Sequence, residues 1–246
     1  MESDTMTAPR FRSWAVTHAG AKRTHNEDAC VDRPDLGLWA VADGAGGHAA
    51  GEVASGMIAE ALEAIPRGLS AAEMLAQVRL AIERTHRALR AEAARRGPDV
   101  LVASTVVVLI ARGEHFACLW AGDSRAYLLR AGVLRQVTRD HSLVQELVEA
   151  GAIAPHEADT HPRANVITRA VGAELDDFSL DKVSDRLHPG DRFLLCSDGL
   201  CKTLPDAELA TLLGALDGVP SQALIDAALA MNVSDNVTAV AVEFIG

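Results

Sequence analysis

Acidic residues recur beside glycine, serine or asparagine along the chain. Glu27 and Asp28 follow Asn26, Asp43 precedes Gly44, Asp123 lies between Gly122 and Ser124, Asp198 between Ser197 and Gly199, and Asp235 between Ser234 and Asn236. Any one of these pairs alone is ordinary turn or cap chemistry. Most of them fall at predicted strand ends, and strand ends on one sheet edge would bring the carboxylates together. Two unit charges about 4 Å apart repel by roughly 1 kcal/mol in water and roughly 4 kcal/mol at an effective dielectric of 20, so such a group calls for cations. The recurring donors are oxygens, which select Mg²⁺ or Mn²⁺ over zinc or copper. A glycine beside the acid lets an ion or its water approach the backbone carbonyl. Two such ions lower the pKa of a shared water and neutralise a phosphoryl group during in-line displacement. Arg23, three residues before Asn26, offers a planar donor fork for phosphate.

The elements that must position these residues follow from hydrophobic period. Leu36 to Ala42 is an apolar run ending in Asp43-Gly44. From Glu52 to Ile65, Val53, Met57, Ala61 and Ile65 fall four apart, which predicts a strand, a glycine-rich turn and an amphipathic helix. Ser70 and Glu73 have capping-box spacing and open a second helix with Met74, Val78, Ile82 and Leu89 on one side. Arginines from Arg79 to Arg96 recur there at helical spacing, a solvated face. Ser104–Ala111, His115–Ala121, Ala126–Arg130 and Val133–Val137 are short apolar runs separated by turns, which predicts an antiparallel meander. A helix is expected over Ser142–Ala150. Ala152–Arg163 mixes prolines, acids and histidines with no period and reads as a mobile excursion. Strands at Arg192–Cys196 and Val237–Phe244 bracket helices at Asp206–Leu213 and Ser221–Met231. Clustered strands and consecutive helix pairs indicate an α+β layered domain over a doubly wound parallel sheet.

Several function classes are excluded. The 246 residues carry 23 Lys+Arg against 34 Asp+Glu, a net charge of −11, and no basic stripe, so no nucleic acid is expected as partner. Gly44 to Ala49 fits the G-x-G-x-x-G/A dinucleotide fingerprint. However, Asp43 would repel a pyrophosphate, Glu63 falls inside the helical run, and the next element is another helix. A tyrosine-phosphatase loop needs arginine six residues after a cysteine, and those positions hold Leu36, Ser124, Lys202 and Ala207. The four cysteines have neither zinc-ligand nor disulfide-framework spacing. Met1 to Trp14 lacks the apolar core of a secretory signal, and the longest apolar stretch, Val100–Ala111, is too short to span a bilayer. A cytoplasmic location without membrane insertion is the expectation.

Taken in order, Arg23 to Asp28, Val41 to His48, Gly122 to Tyr127, Thr138 to Ser142, Ile167 to Gly172, Leu194 to Gly199 and Ser234 to Thr238 resemble the motifs of the metal-dependent (type 2C) serine/threonine protein phosphatases, particularly their short bacterial members. The resemblance runs from Arg23 to Thr238 and implies a single catalytic domain over residues 1–246, with 1–10 flexible. It implies a four-layer α-β-β-α sandwich of two antiparallel sheets flanked by helix pairs, with a flap near 140–170 that would select substrate. Asp43 would bridge two Mn²⁺ or Mg²⁺ ions, the Gly44 carbonyl would ligate one, Asp198 and Asp235 the other, and Glu27 and Asp28 would hold bound waters. Asp123, with Asp198, would form a weaker third site, and Arg23 would bind the phosphate. The implied reaction is hydrolysis of phosphoserine and phosphothreonine on proteins by a hydroxide bridging the two ions, opposed by a serine/threonine kinase. Many eukaryotic members have histidine directly after the Asp-Gly pair as general acid; Ala45 stands there, so the acid is unassigned, and the role does not pass to His48. The stretch Gly37 to Gly44 resembles phosphatases associated with bacterial type VI secretion. Two competing readings are a phosphatase-like module that only recognises a partner, and a phosphoesterase acting on small molecules.

Overall fold

A computed structural model describes residues 10–46, 50–158, 160–173, 178–215 and 217–246. In chain order the elements are β1 (Phe11–His18), β2 (Asp28–Arg33), β3 (Leu38–Ala45), α1 (Ala50–Glu63), α2 (Ala71–Arg96), β4 (Ala103–Ser104), β5 (Val106–Arg112), β6 (His115–Ala121), β7 (Arg125–Arg130), β8 (Val133–Gln136), α3 (Leu143–Glu149), β9 (Asp181–Arg186), β10 (Arg192–Cys196), α4 (Asp198–Cys201), α5 (Asp206–Gly214), α6 (Pro220–Ala230) and β11 (Val237–Phe244). One antiparallel sheet has the order β1-β11-β10-β7-β8, the other β2-β3-β5-β6-β9 with β4 added beside β3.

The layering follows from strand period. Successive side chains on a strand point to opposite faces. In β5, Val106, Val108 and Ile110 join the core formed with Ala54, Ile58, Leu62, Met74, Val78 and Ile82 of α1 and α2. Val107, Leu109 and Ala111 face the opposite sheet with Val240, Val242 and Phe244 of β11. The alternate β11 residues Val237, Ala239 and Ala241 pack with Leu209, Leu213, Leu224 and Ile225 of α5 and α6. Both faces of the central strands are buried, which is why they read as continuous apolar runs. The expected α-β-β-α sandwich is therefore the observed one. Ser70 closes its capping box with Glu73, accepting from the Glu73 amide at 3.3 Å while Glu73 Oε2 accepts from the Ser70 amide at 2.8 Å.

Three expectations are corrected. The meander does not form: β5 and β6 pair in one sheet, β7 and β8 in the other, and Gly122–Ser124 carries the chain across. The buried side of α1 is Ala54, Ile58 and Leu62, one residue on from the predicted face; Val53, Met57 and Ala61 are half-buried, and Ile65 lies beyond the helix. Small residues occur in both registers, so spacing alone could not separate them. The first predicted strand, placed at Leu36–Ala42, runs instead through Asp43 and Gly44 to Ala45. Strands β1, β2 and β9 carried no clear signal. Two of them, β1 and β2, are sheet edges with mixed polarity, and β9, another edge, has the sequence DKVSDR; charged edge strands resist unwanted pairing.

The helix expected over Ser142–Ala150 is α3, and Ser142 caps it, accepting from the Gln145 amide. Ala152–Arg163 contains only turns and a short 3₁₀ turn at Pro155–Glu157 among its described residues. The segment is stitched back to the sandwich by bridges Ser142–Ile167 and Ser104–Val171. The flexibility expected of residues 1–10 concerns positions that, Arg10 apart, lie outside the described residues.

Candidate active site

Asp43 continues the Trp39–Val41 face of β3, so its side chain points between the sheets where the strand ends. Asp28 is its direct cross-strand partner on β2, placing two carboxylates side by side on the inner face. From the opposite sheet, β10 runs out through Ser197 into α4, which begins at Asp198, and Asp235 precedes β11 by two residues. Cys196 pairs with Ala239, so Asp198 and Asp235 leave the same end of that sheet. Asp123 sits in the crossover between the sheets.

Backbone and hydroxyl groups fix this arrangement. The Asp43 amide donates to Thr105 Oγ1 at 3.1 Å, and the Asp43 carbonyl accepts from the Thr105 amide at 2.8 Å and from Ser104 Oγ at 2.9 Å. Asp28 Oδ2 accepts from Thr238 Oγ1 at 2.6 Å and Ser197 Oγ at 2.8 Å. Asn236 clamps the β1–β2 loop: its Oδ1 accepts from the Glu27 amide at 2.8 Å, and its Nδ2 donates to the Ala19 and His25 carbonyls at 3.0 and 2.9 Å. That loop carries Arg23, whose Nε and Nη2 reach the two oxygens of Asp235 at 2.9 and 3.0 Å. Gly44 must be glycine, since a Cβ there would lie 2.2 Å from the Gly51 carbonyl oxygen and 2.6 Å from that of Glu27.

Burial and mutual repulsion govern the protonation of the group. Burial pushes Asp28 up to about 7, with Asp198 and Asp235 adding to the rise and the Thr238 and Ser197 hydroxyls opposing it. Asp43 is pushed well above the usual carboxylate range by burial and then by Asp28, Asp198, Asp123 and Asp235. Asp123 rises to about 6 through burial and Asp198, against the pull of Lys202. Each of these groups is held away from the ionised form that it would adopt beside a cation. Asp28 Oδ1 and Asp123 Oδ1 are buried without a hydrogen-bond partner. An all-oxygen donor set with unpartnered buried carboxylate oxygens fits hard divalent cations. No closed cage of three acidic, histidine or cysteine side chains is preformed among the described residues. Protein cations hold the carboxylates instead, Arg23 at Asp235 and Lys202 at Asp123 and Asp198.

The structure thus brings Arg23, Asp28, Asp43, Gly44, Asp123, Asp198 and Asp235 to one end of the sandwich. His48 lies outside the described residues. His141 is structural: Nδ1 accepts from the Gly122 amide at 3.1 Å and Nε2 meets Asp181 at 3.2 Å, steadying the crossover. Sequence reasoning did not assign Ser197, Thr238 and Asn236, although all three stand within the quoted motifs, nor Lys202 and Asn165, which carried no such signal. A cavity of about 530 Å³ opens beside Asp123, lined on one side by Ser142, Gln145 and Asn165 of the flap region and on the other by Lys202 and Thr203.

Two facing antiparallel sheets, helix pairs outside them and a carboxylate cluster where strand ends converge form the architecture of the metal-dependent phosphatases. The chain belongs to the protein phosphatase 2C family, whose model matches residues 17–219. It is 37% identical over 241 residues to the serine/threonine protein phosphatase PstP of Mycobacterium tuberculosis, covering 96% of this chain but only 45% of that protein. A solved structure described as PppA, a key regulatory component of T6SS in Pseudomonas aeruginosa, is 44% identical with a TM-score of 0.86, over 95% of this chain and 97% of that one. The catalytic domain of PstP, solved in complex with two manganese ions, is 33% identical with a TM-score of 0.86, over 96% of this chain and 99% of that one.

Proposed function

We propose that the chain is a metal-dependent serine/threonine protein phosphatase, with Asp28, Asp43, the Gly44 carbonyl, Asp198 and Asp235 holding two divalent cations, Mn²⁺ or Mg²⁺. The observation that carries this is the in-register Asp28–Asp43 pair facing Asp198 and Asp235, with Asp28 Oδ1 buried and unpartnered. When bound, two such cations supply an acidified water and neutralise charge on a phosphoryl group. The chain's own residues supply geometry. Asp43, locked by Ser104 and Thr105, presents its carboxylate from the rigid end of β3. Ser197 and Thr238 orient Asp28 so that one oxygen stays free. Arg23, exposed at the rim and paired with Asp235, can exchange that carboxylate for two phosphate oxygens with the same fork. Ala45 can move no proton, so the leaving alcohol takes its proton from another donor.

Phosphoserine and phosphothreonine proteins are the substrates proposed, since similar curated proteins are named serine/threonine phosphatases. A serine/threonine kinase would oppose it, and the likeness to PppA supports a role alongside type VI secretion. Among the described residues no helix is long and apolar enough to cross a membrane, and all four cysteines are free thiols, which suits a reducing cytoplasm. Hydrolysis of a phosphothreonine peptide should require Mn²⁺ or Mg²⁺, stop with chelator, and vanish in Asp43→Asn and Asp235→Asn. Activity surviving in both variants would overturn the assignment.

A further inference from the structure

Lys202 reaches into the carboxylate cluster without a part in the phosphatase chemistry. It follows the four-residue helix α4, where its amide donates to the Asp198 carbonyl at 2.8 Å, and its side chain folds back over the turn. Nζ lies 2.7 Å from Asp198 Oδ2, 3.2 Å from Asp123 Oδ2 and 3.1 Å from Asn165 Oδ1. All three donor directions of an ammonium group are thereby taken. Two of its partners are the acids that the family resemblance gives to a third, weaker ion, and the third partner belongs to the flap region. A divalent ion on those carboxylates requires oxygens at about 2.0–2.6 Å, space in which the ammonium already stands.

Resting on the phosphatase reading above, we infer that Lys202, not a third divalent ion, neutralises the Asp123–Asp198 pair in this chain, and that it ties the flap to the metal centre through Asn165. The ammonium engages only Oδ2 of Asp198, leaving Oδ1 for the binuclear centre. It therefore competes with the third ion but not with the first two. The single positive charge sits against one carboxylate that is buried in the sandwich, Asp123, and one that would also serve the binuclear centre, Asp198. Removing Lys202 leaves Asp123 and Asp198 without a protein cation, and Asp123 Oδ1 already lacks a hydrogen bond. A third ion should then enter. Lys202 is a positioning residue, since it acts on the carboxylates and on the Asn165 loop rather than on the phosphate.

Manganese stoichiometry measured by equilibrium dialysis and calorimetry tests this directly. The wild-type chain should bind two ions, Lys202→Ala three, and Lys202→Arg two. In the metal-free state, proteolytic cleavage between residues 158 and 166 should be several-fold faster in Lys202→Ala than in wild type, because the Asn165 tie is gone. Three ions in wild type, or two in a folded Lys202→Ala, would overturn the inference. Should Lys202→Ala not fold, Asp123→Asn decides: unchanged binding of two ions supports the lysine, and a fall from three to two refutes it. Binding of no ion by wild type would instead overturn the metal assignment of the whole site.

Discussion

Stripping divalent ions from the chain should make its stability fall as pH rises from 5 to 8, because Asp28 is then a buried acid without a counter-ion. Asp28 is 8% exposed, and its carboxyl is held up to about 7 against 3.8 in the unfolded chain. For a raised acid the folded state holds the proton more tightly, so the contribution is complete below 3.8 and is lost as pH rises through about 7. About three pH units at roughly 1.36 kcal/mol each make this about 4 kcal/mol. Asp123, raised to about 6, adds a loss of the same sign over a slightly lower range. His86 and His141 act oppositely, because burial lowers both below 6.5 and stability gained there increases with pH. The ion-paired Asp35, with its pKa lowered to about 2 by Arg33, titrates below the window. The difference between wild type and Asp28→Asn reports Asp28 together with its repulsion of Asp43, whose carboxyl Asp28 helps to hold up. In chelator, urea unfolding should show Asp28→Asn ahead by about 1–2 kcal/mol at pH 5 and by up to about 4 kcal/mol at pH 8, about 10 °C in melting temperature. Saturating Mn²⁺ should reverse the order, because the ion binds the ionised wild-type carboxylate and stabilises by mass action. A gap between the two proteins in chelator that does not widen from pH 5 to 8 would refute the reasoning.

Arg23→Ala should leave the melting temperature within a degree or two, since its pair with Asp235 is exposed and such pairs contribute about 0–1 kcal/mol, while kcat/KM on a phosphopeptide falls about 10- to 100-fold for the loss of charged hydrogen bonds. Gly44→Ala should cost about 3 kcal/mol in urea unfolding with or without Mn²⁺, because its Cβ would overlap the Gly51 carbonyl. Arg125→Ala removes all three hydrogen bonds from the guanidinium to Asp140 and the contact with the Tyr127 hydroxyl at 3.1 Å, and leaves a largely buried carboxylate with no cation and only the Gln136 amide as donor. A loss of about 3–5 kcal/mol is expected, and Arg125→Lys should recover little of it, because one ammonium cannot replace the planar fork.

Legibility from sequence followed the physics of each element. Strands β5, β6, β10 and β11 stood out because the sandwich buries both faces, whereas β1, β2 and β9 have edges that need no apolar run. The capping box at Ser70 marked α2 because its two hydrogen bonds depend on residues three apart. The failed meander shows a different limit. Turn residues at Gly122–Ser124 announce that a strand ends, but a turn within one sheet and a crossover between two use the same residue types. Gly122 has φ of 113° and a Cβ would lie 2.6 Å from Thr105, so the glycine reports a close approach to the residue between β4 and β5 that no local pattern identifies.

The site acids were readable for the reason that makes them costly: each interrupts or adjoins an apolar run where a carboxylate lowers stability unless chemistry requires it. Lys202 gave no such warning. A lysine four residues after an aspartate on a helix is ordinarily a solvent-facing pair, and only the fold shows that α4 ends against Asp123 from one side and Asn165 from the other. Part of the −11 charge is thus gathered at one place and met by two protein cations, Arg23 at the rim and Lys202 inside. Those two differ in what can replace them. Arg23 holds an exposed carboxylate with a fork that phosphate can take over, whereas Lys202 holds two acids and a flap residue at once, so displacing it breaks three contacts together. Substrate should therefore exchange readily at Arg23, and a further cation only with difficulty at Lys202.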